Sequence, residues 1–250
     1  MLDYRFPKIH ITERDIKLFD LLFQYKVATA KQILKYCYKG SSLNNVRYRL
    51  KRLCNVKLVQ SLGHKQGNDL IFIYSLTGKG MRFIKERYSG YSKNLKLKSE
   101  VPDHDLVLLD IGQRLKRNEM LENYLTENLI QANPSFQDHK IFSHFVQIRS
   151  DAFVNFNFKT KQFRVAVEYE NTTKSISRYE KLVSNYYLSS QVDLIFYFYK
   201  EKSIFKNICK IEEMNWKSNQ KKFYFCSIEN FHQDTNKITL ENCIGNKIYL

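Results

Sequence analysis

Apolar positions recur at helical spacing three times in the first 55 residues. In TERDIKLFDLLFQYKVAT the recurring residues are Ile16, Phe19, Leu22 and Phe23, and Thr12 with Asp15 three residues on makes a capping-box start. TAKQILKYCYKG predicts a second, shorter helix, with Thr29 as cap and Gly40 as stop. SSLNNVRYRLKRLCN predicts a third, with Leu43, Val46, Leu50 and Leu53 on its apolar face. Its other face carries Asn44, Asn45, Arg47, Tyr48, Lys51 and Arg52. The runs VKLVQSL and LIFIYSL then read as two strands around the polar turn GHKQGND, and TGKGMRFIKERY as a closing helix.

The polar, basic stretch SGYSKNLKLKSEVPDHD contains Gly and Pro and marks a domain boundary. The expected division is a first domain over 1–90, a linker over 91–102 and a second domain over 103–250. DHDLVLLDIGQRLKRNEM predicts a helix with Leu106, Leu108, Leu109, Ile111 and Leu115 apolar and His104 and Asp105 at its start. ENLIQANPSFQDHKIFSHF reads as a weak strand plus loop. NTTKSISRYEKLVSNYY predicts a helix, capped from among Asn171, Thr172 and Thr173, with Lys174, Arg178 and Lys181 in a basic stripe. VDLIFYFYK and KFYFCSIEN read as buried strands, and KIEEMNWKSNQKK as a helix followed by a basic turn. Residues 201–250 carry no motif that reads as chemistry.

Between the DHDL helix and the NTTKS helix lies a hairpin. Residues 151–170 alternate twice, through Ala152, Val154, Phe156 and Phe158, then through Phe163, Val165, Val167 and Tyr169, with KTKQ as the turn. Pairing residues whose numbers sum to 321 makes one face wholly apolar and puts Asp151 opposite Glu170 on the other, beside Glu168. A slip by one residue would mix the faces, whereas a slip by two would keep them and only change the partners. Residues i and i+2 on a strand point the same way, about 6.5–7 Å apart. Three carboxylates brought together this way repel unless a cation joins them. Mg²⁺ or Mn²⁺ suits such a set, and can activate water and neutralise a scissile phosphate. Glu-x-Glu pairs also occur on plain solvated hairpin faces.

Composition adds a partner. The chain has 250 residues, long enough to bury a core, and a net charge of +16. Residues 1–100 carry 21 Lys+Arg against 7 Asp+Glu, a balance of +14, leaving +2 for residues 101–250. A basic module joined to a near-neutral one points to a polyanion for the first. Three helices and a hairpin with a basic tip make the winged helix-turn-helix pattern, whose third helix enters the major groove of double-stranded DNA. Asn pairs with adenine and Arg with guanine there, while His64 and Lys65 at the wing tip would meet phosphates or the minor groove. Such proteins often bind as homodimers. The five cysteines show no CxxC and read as reduced thiols of a cytoplasmic protein. The first residues lack the apolar core of a signal peptide, and the longest apolar run, VDLIFYFY, is too short to span a membrane.

Helix, hairpin, helix, strand, with Asp on one strand and Glu-x-Glu on the next, resembles the PD-(D/E)XK restriction-endonuclease-like fold. The motif stands here as Ser150-Asp151-Ala152 and Glu168-Tyr169-Glu170. Ser150 takes the place where the family often has Pro, and Glu170 the place where it usually has Lys. Lys174, one turn on, would supply that positive charge. The whole order, a winged helix, the HDL helix and then SDA…VEYENTTKSISRYEKL, resembles the replication-relaxation family of plasmids and mobile elements over roughly residues 10–200.

The expected class is therefore α+β or α/β, with a winged helix-turn-helix domain followed by a mixed α/β nuclease-like domain. The resemblance implies a DNA-binding protein tied to replication, mobilisation or its regulation, with replication or mobilisation proteins as further partners. One alternative is an active endonuclease in which Asp151 and Glu168 hold the metal, Glu170 is a ligand or water-positioning base and Lys174 stabilises charge. A protein-binding scaffold that uses neither site is the other alternative.

Overall fold

The computed structural model describes residues 9–90, 97–136, 139–215, 221–233 and 237–250. The chain divides into two compact units, Met1–Gln113 and Arg114–Leu250. Part of the expected linker, residues 91–96, and part of the basic turn, residues 216–220, lie outside the described residues.

In the first unit, helix α1 (Glu13–Tyr25) begins with a full capping box between Thr12 and Asp15 and buries Leu18, Phe19, Leu22 and Phe23. A two-residue strand β1 (Ala28–Thr29) leads into α2 (Ala30–Tyr36), capped reciprocally by Thr29 and Gln32. Helix α3 (Leu43–Asn55) follows, with Ser42 accepting from the Asn45 amide. Strands β2 (Val59–Gln66) and β3 (Asp69–Leu76) form a hairpin, and β1 pairs with the far edge of β3, giving the order β1-β3-β2. The hairpin strands run further than expected, so only Gly67 and Asn68 remain as the turn, with φ of 60° at Gly67. The expected closing helix is broken into a single turn α4 (Gly78–Met81) and a 3-10 turn over Lys85–Tyr88. Helix α5 (Pro102–Leu115) was expected to open the second domain, yet the unit boundary falls near its end. Its Leu106 packs with Val27 and Ile73, and the Gln32 side-chain amide donates to the Leu106 carbonyl (2.8 Å) and the Asp110 carboxylate (2.9 Å).

The second unit is built on one mixed sheet. Its elements are β4 (Leu121–Thr126), α6 (Glu127–Ala132), a 3-10 turn (Pro134–Phe136), α7 (Phe142–Ile148), β5 (Ala152–Phe158), β6 (Lys161–Glu170) and α8 (Ile176–Leu188). Then come β7 (Leu194–Tyr199), α9 (Lys202–Asn215), β8 (Phe223–Ser227), α10 (Ile228–Gln233), β9 (Thr239–Glu241) and β10 (Lys247–Tyr249). The strand order is β10-β9-β8-β7-β6-β5-β4, with β6, β7 and β8 parallel and the other neighbours antiparallel. Parallel neighbours need a crossover, and α8 and α9 supply the two. Both helices lay apolar stripes on one sheet face: Tyr179, Val183 and Tyr186 from α8 and Ile204, Ile208 and Ile211 from α9 meet Ala166, Ile195, Tyr197, Phe223 and Phe225. The other face is buried as well, through Val154, Val165, Val167, Phe196 and Phe198, and Phe198 stands edge-on to Phe231 of α10.

Three expectations for this unit change. Residues read as weak strand and loop are α6, a 3-10 turn and α7; Thr126 caps α6 by accepting from the Leu129 amide, and Leu129 and Ile130 are buried. Strand β4 had no sequence signal, because it is irregular: Asn123 takes a φ of 54° and the register shifts between Glu122 and Leu125. Helix α8 starts after Ser175, later than the Asn171–Thr173 caps, and Thr173 instead donates through its amide to Glu201 (2.9 Å).

The hairpin register is the fourth correction. Phe158 pairs with Lys161, leaving Lys159 and Thr160 as a two-residue turn with φ of 56° at Lys159. The tight turn replaces the four-residue KTKQ loop, and two-residue turns fit the natural strand twist. Val154 therefore meets Val165 and Phe156 meets Phe163, two residues from the expected pairing. An even shift leaves every facing unchanged.

Candidate nucleic-acid surface and carboxylate group

Helix α3 is pinned by Val46, Leu50 and Leu53, all buried, at i, i+4 and i+7. That stripe leaves Asn44, Asn45, Arg47, Tyr48 and Lys51 exposed and Arg52 half-buried. Arg49, between them, turns inward. Its Nε donates to Asp15 Oδ1 (2.9 Å), and a second guanidinium nitrogen pairs with the other carboxylate oxygen. Asp15 has no solvent exposure and also accepts from the Tyr38 hydroxyl and the Thr12 amide. Burial pushes the Asp15 carboxyl up, but the bonds from Arg49, Tyr38 and Thr12 together outweigh it, so its pKa lies below the ordinary value. Read from sequence, Asp15 is only a cap; the structure makes it the node that fixes α1, α2's following turn and α3.

His64 and Lys65, expected at the hairpin tip, lie inside β2 opposite Ile71 and Leu70. Lys65 is exposed, whereas His64 Nε2 sits 2.9 Å from Asp103 Oδ1 of α5. His64 is therefore occupied by an acid of its own unit. Tyr74 of β3 pairs with Ser61 of β2 and Ala28 of β1. Burial raises the Tyr74 hydroxyl pKa, the Cys54 thiol raises it further, and Arg47 acts against both.

The acids of the second unit gather at one end of β6. Glu168 and Glu170 share a strand side with Ala166, the side that α8 and α9 cover, so they stand at the rim of a packed layer. Asp151 precedes β5, and the observed register brings it level with Glu168, where the expected one had Glu170. Each acid already has a partner from the protein. Asp151 Oδ2 accepts from the Tyr169 amide (2.8 Å). Glu168 Oε1 accepts from the hydroxyl of Tyr186, which has no solvent exposure and lies 2.7 Å from Ser150 Oγ. Glu170 Oε1 pairs with Lys174 Nζ at 3.4 Å.

The charges of this group reach the phenols beneath it. Burial raises the Tyr186 pKa well above the ordinary value, and the charge of Glu168, its hydrogen bond and the charge of Asp151 add to that. For Tyr197, the neighbour of Glu168 on β7, burial again leads, followed by the charges of Glu168 and Glu170. Both phenols therefore stay protonated, and Tyr186 acts as a permanent donor to Glu168. Among the described residues no three His, Cys, Asp or Glu side chains lie close enough to hold a metal ion. As placed, each of the three carboxylates is engaged by a protein group.

Sequence reading missed Tyr186 as a polar residue, because it falls in the apolar stripe of α8 and gives no separate signal. It also missed Lys222, whose Nζ donates to the carbonyls of Tyr186 (3.0 Å), Ser189 (2.9 Å) and Val192 (2.8 Å), closing the C-terminal end of α8. A cleft of about 560 Å³ opens where β7 and β8 end, lined by Tyr199, Phe205, Phe225, Asn230 and Lys237 among others. The five cysteines are free thiols, and among the described residues no helix is long and apolar enough to cross a membrane.

No family model matches the chain, and no curated protein matches it. Among solved structures, the restriction endonuclease FokI bound to DNA is similar over 87% of this chain at 12% sequence identity and a TM-score of 0.25. The chain spans 43% of the length of that protein. The likeness is too slight to transfer a residue or an activity.

Proposed function

We propose that this chain is a DNA-binding protein, its first unit a winged helix-turn-helix and its second a restriction-endonuclease-like unit that serves assembly rather than cleavage. The exposed face of α3 carries the reading. Asn44, Asn45, Arg47, Tyr48 and Lys51 all face solvent from a helix anchored on its opposite side. They belong to the stretch with 21 Lys+Arg against 7 Asp+Glu. A major groove admits such a helix, and Arg and Asn side chains can read guanine and adenine there. The partner is double-stranded DNA, and replication or mobilisation of a mobile element is the setting the sequence resemblance implies. A salt series of duplex binding tests this, because phosphate contacts make the logarithm of affinity fall linearly with that of salt. A salt-independent affinity removes the reading.

A second reading, a Mg²⁺- or Mn²⁺-dependent endonuclease, is favoured by the convergence of Asp151, Glu168 and Glu170 with Lys174 at one end of β6. The hydrogen bonds that Tyr169 and Tyr186 already give to Asp151 and Glu168 weigh toward the first. Incubation with supercoiled plasmid and either ion decides between them. Cleavage that is lost in Glu168→Gln, a change that keeps an acceptor for Tyr186, establishes the endonuclease. Intact plasmid with a folded, DNA-binding protein leaves the assembly role.

A further inference from the structure

One face of the β2–β3 hairpin is apolar and open. Alternation puts Leu70, Phe72 and Tyr74 of β3 on one side, opposite Lys65, Gly63 and Ser61 of β2. Leu70 is 72% exposed and Phe72 59% exposed. Glycine opposite Phe72 gives the ring no neighbour across the strands, and Leu70 Cδ1 lies 3.5 Å from where a Cβ on Gly63 would stand. The strip runs about 14 Å from Tyr74 to Leu70 at the usual rise of a strand. Its outer end meets Lys65, the partner of Leu70 across the hairpin. A phenylalanine and a leucine held in water on a unit rich in lysine and arginine are not a core in waiting, since they point away from Ile73, which is buried.

Charge decides what covers this strip. A second copy would bring a like-charged basic surface, which opposes close approach. Nucleic acid brings phosphates for Arg47, Lys51 and Lys65, and its bases are the only apolar surface it has. Those base faces are hidden in an intact duplex and open where pairing is lost. Aromatic side chains stack on unpaired bases with little regard to sequence, and Phe and Leu wedges enter opened base steps. We infer that the Leu70–Phe72 strip binds unstacked bases, so that the protein prefers DNA with an unpaired stretch beside a duplex over the same duplex fully paired. The inference rests on the DNA-binding reading above and adds the kind of DNA.

The full chain is titrated against a fluorescent duplex and against the same duplex with a short central bubble carrying 2-aminopurine. Stacking on one base corresponds to roughly fivefold or more in affinity, so the bubble is expected to bind at least that much tighter, with a change in 2-aminopurine fluorescence. The double variant Leu70→Ala/Phe72→Ala, folded by circular dichroism, is expected to bind the duplex as before and to lose both the preference and the fluorescence change. Equal affinity for the two DNAs overturns the inference and leaves duplex binding standing. A preference that survives the double variant also overturns it. So does a dimer that the double variant dissolves while the preference stays, since the strip is then a contact between copies. Failure of both DNAs to bind removes the DNA-binding reading itself.

Discussion

The Tyr186 hydroxyl donates to the Glu168 carboxylate from a fully buried position in α8, tying the helix layer to the acid end of β6. The same oxygen is 2.7 Å from Ser150 Oγ, just before β5. Tyr186→Phe keeps the ring among Phe223 and its neighbours but leaves Ser150 and Glu168 without this partner. A buried group left unsatisfied costs about 1–3 kcal/mol, and that loss is expected in urea unfolding. An unchanged midpoint would show that the hydroxyl is not a structural link.

Arg49→Ala leaves the Asp15 carboxylate buried without its cation. Removing one partner of a buried pair costs about 3–5 kcal/mol, a loss to be read from thermal or urea unfolding of the whole chain. The pH dependence follows in sign. The folded pKa of Asp15 lies below the ordinary 3.8. Its stabilisation is therefore present above that ordinary value and is lost as pH falls through the folded one. Wild type should lose this contribution only in strong acid. Asp15→Asn should flatten the acid limb of the stability profile, and an identical limb in both proteins would assign the acid transition elsewhere.

Gly80 sits where α4 crosses the start of the hairpin. A Cβ there would stand 2.2 Å from the Leu58 carbonyl oxygen and 2.7 Å from Leu76 Cδ1. The carbonyl is backbone and cannot step aside as a side chain could. Gly80→Ala is expected to cost about 1–3 kcal/mol by overpacking, against the usual gain from placing Ala in a helix. A stability equal to or above wild type would mean that the turn relaxes freely.

On the proposed DNA-binding reading, the residues of α3 would make two kinds of contact. Arg47→Ala should weaken binding to a selected site by about 1–3 kcal/mol and relax its sequence preference. Lys51→Ala should weaken binding to all duplexes alike and reduce the salt slope by about 1. Binding isotherms at several salt concentrations distinguish them. Equal behaviour of both variants on selected and random duplexes would move base reading away from this helix.

Much of the fold was legible where period and punctuation agree. Thr12 with Asp15 and Thr29 with Gln32 are local signals, and both become real capping boxes. The alternation through Val154 and Val165 set the facing of the β5–β6 hairpin correctly, although its partners are shifted by two residues. Facing is a matter of parity, which alternation states. Partner choice depends on how tightly Lys159 and Thr160 can turn, which alternation does not state.

The illegible parts are non-local. Strand β4 exists because β5 offers it an edge, and its irregular backbone erases the period. The acids were visible as a spacing, but not the layer above them: Ala166, between Glu168 and Arg164, reads as any small residue, yet it lies fully buried under the helices. An open solvated strip and the rim of a packed layer have the same sequence. Arg49 likewise looks like one more basic residue of α3 until Asp15 is seen to have no exposure.

Lys222 adds a constraint of timing. The last turn of α8 and the loop after it present carbonyls that are met by an ammonium far downstream, beyond α9. Until that residue has been made, the carbonyls at the end of α8 lack this donor and are left to water. The stretch beyond residue 200, mute as a motif, is therefore a fastener for what precedes it. Ribosome-bound chains stalled before residue 222 should remain open to protease at the end of α8, and those stalled well after it should not.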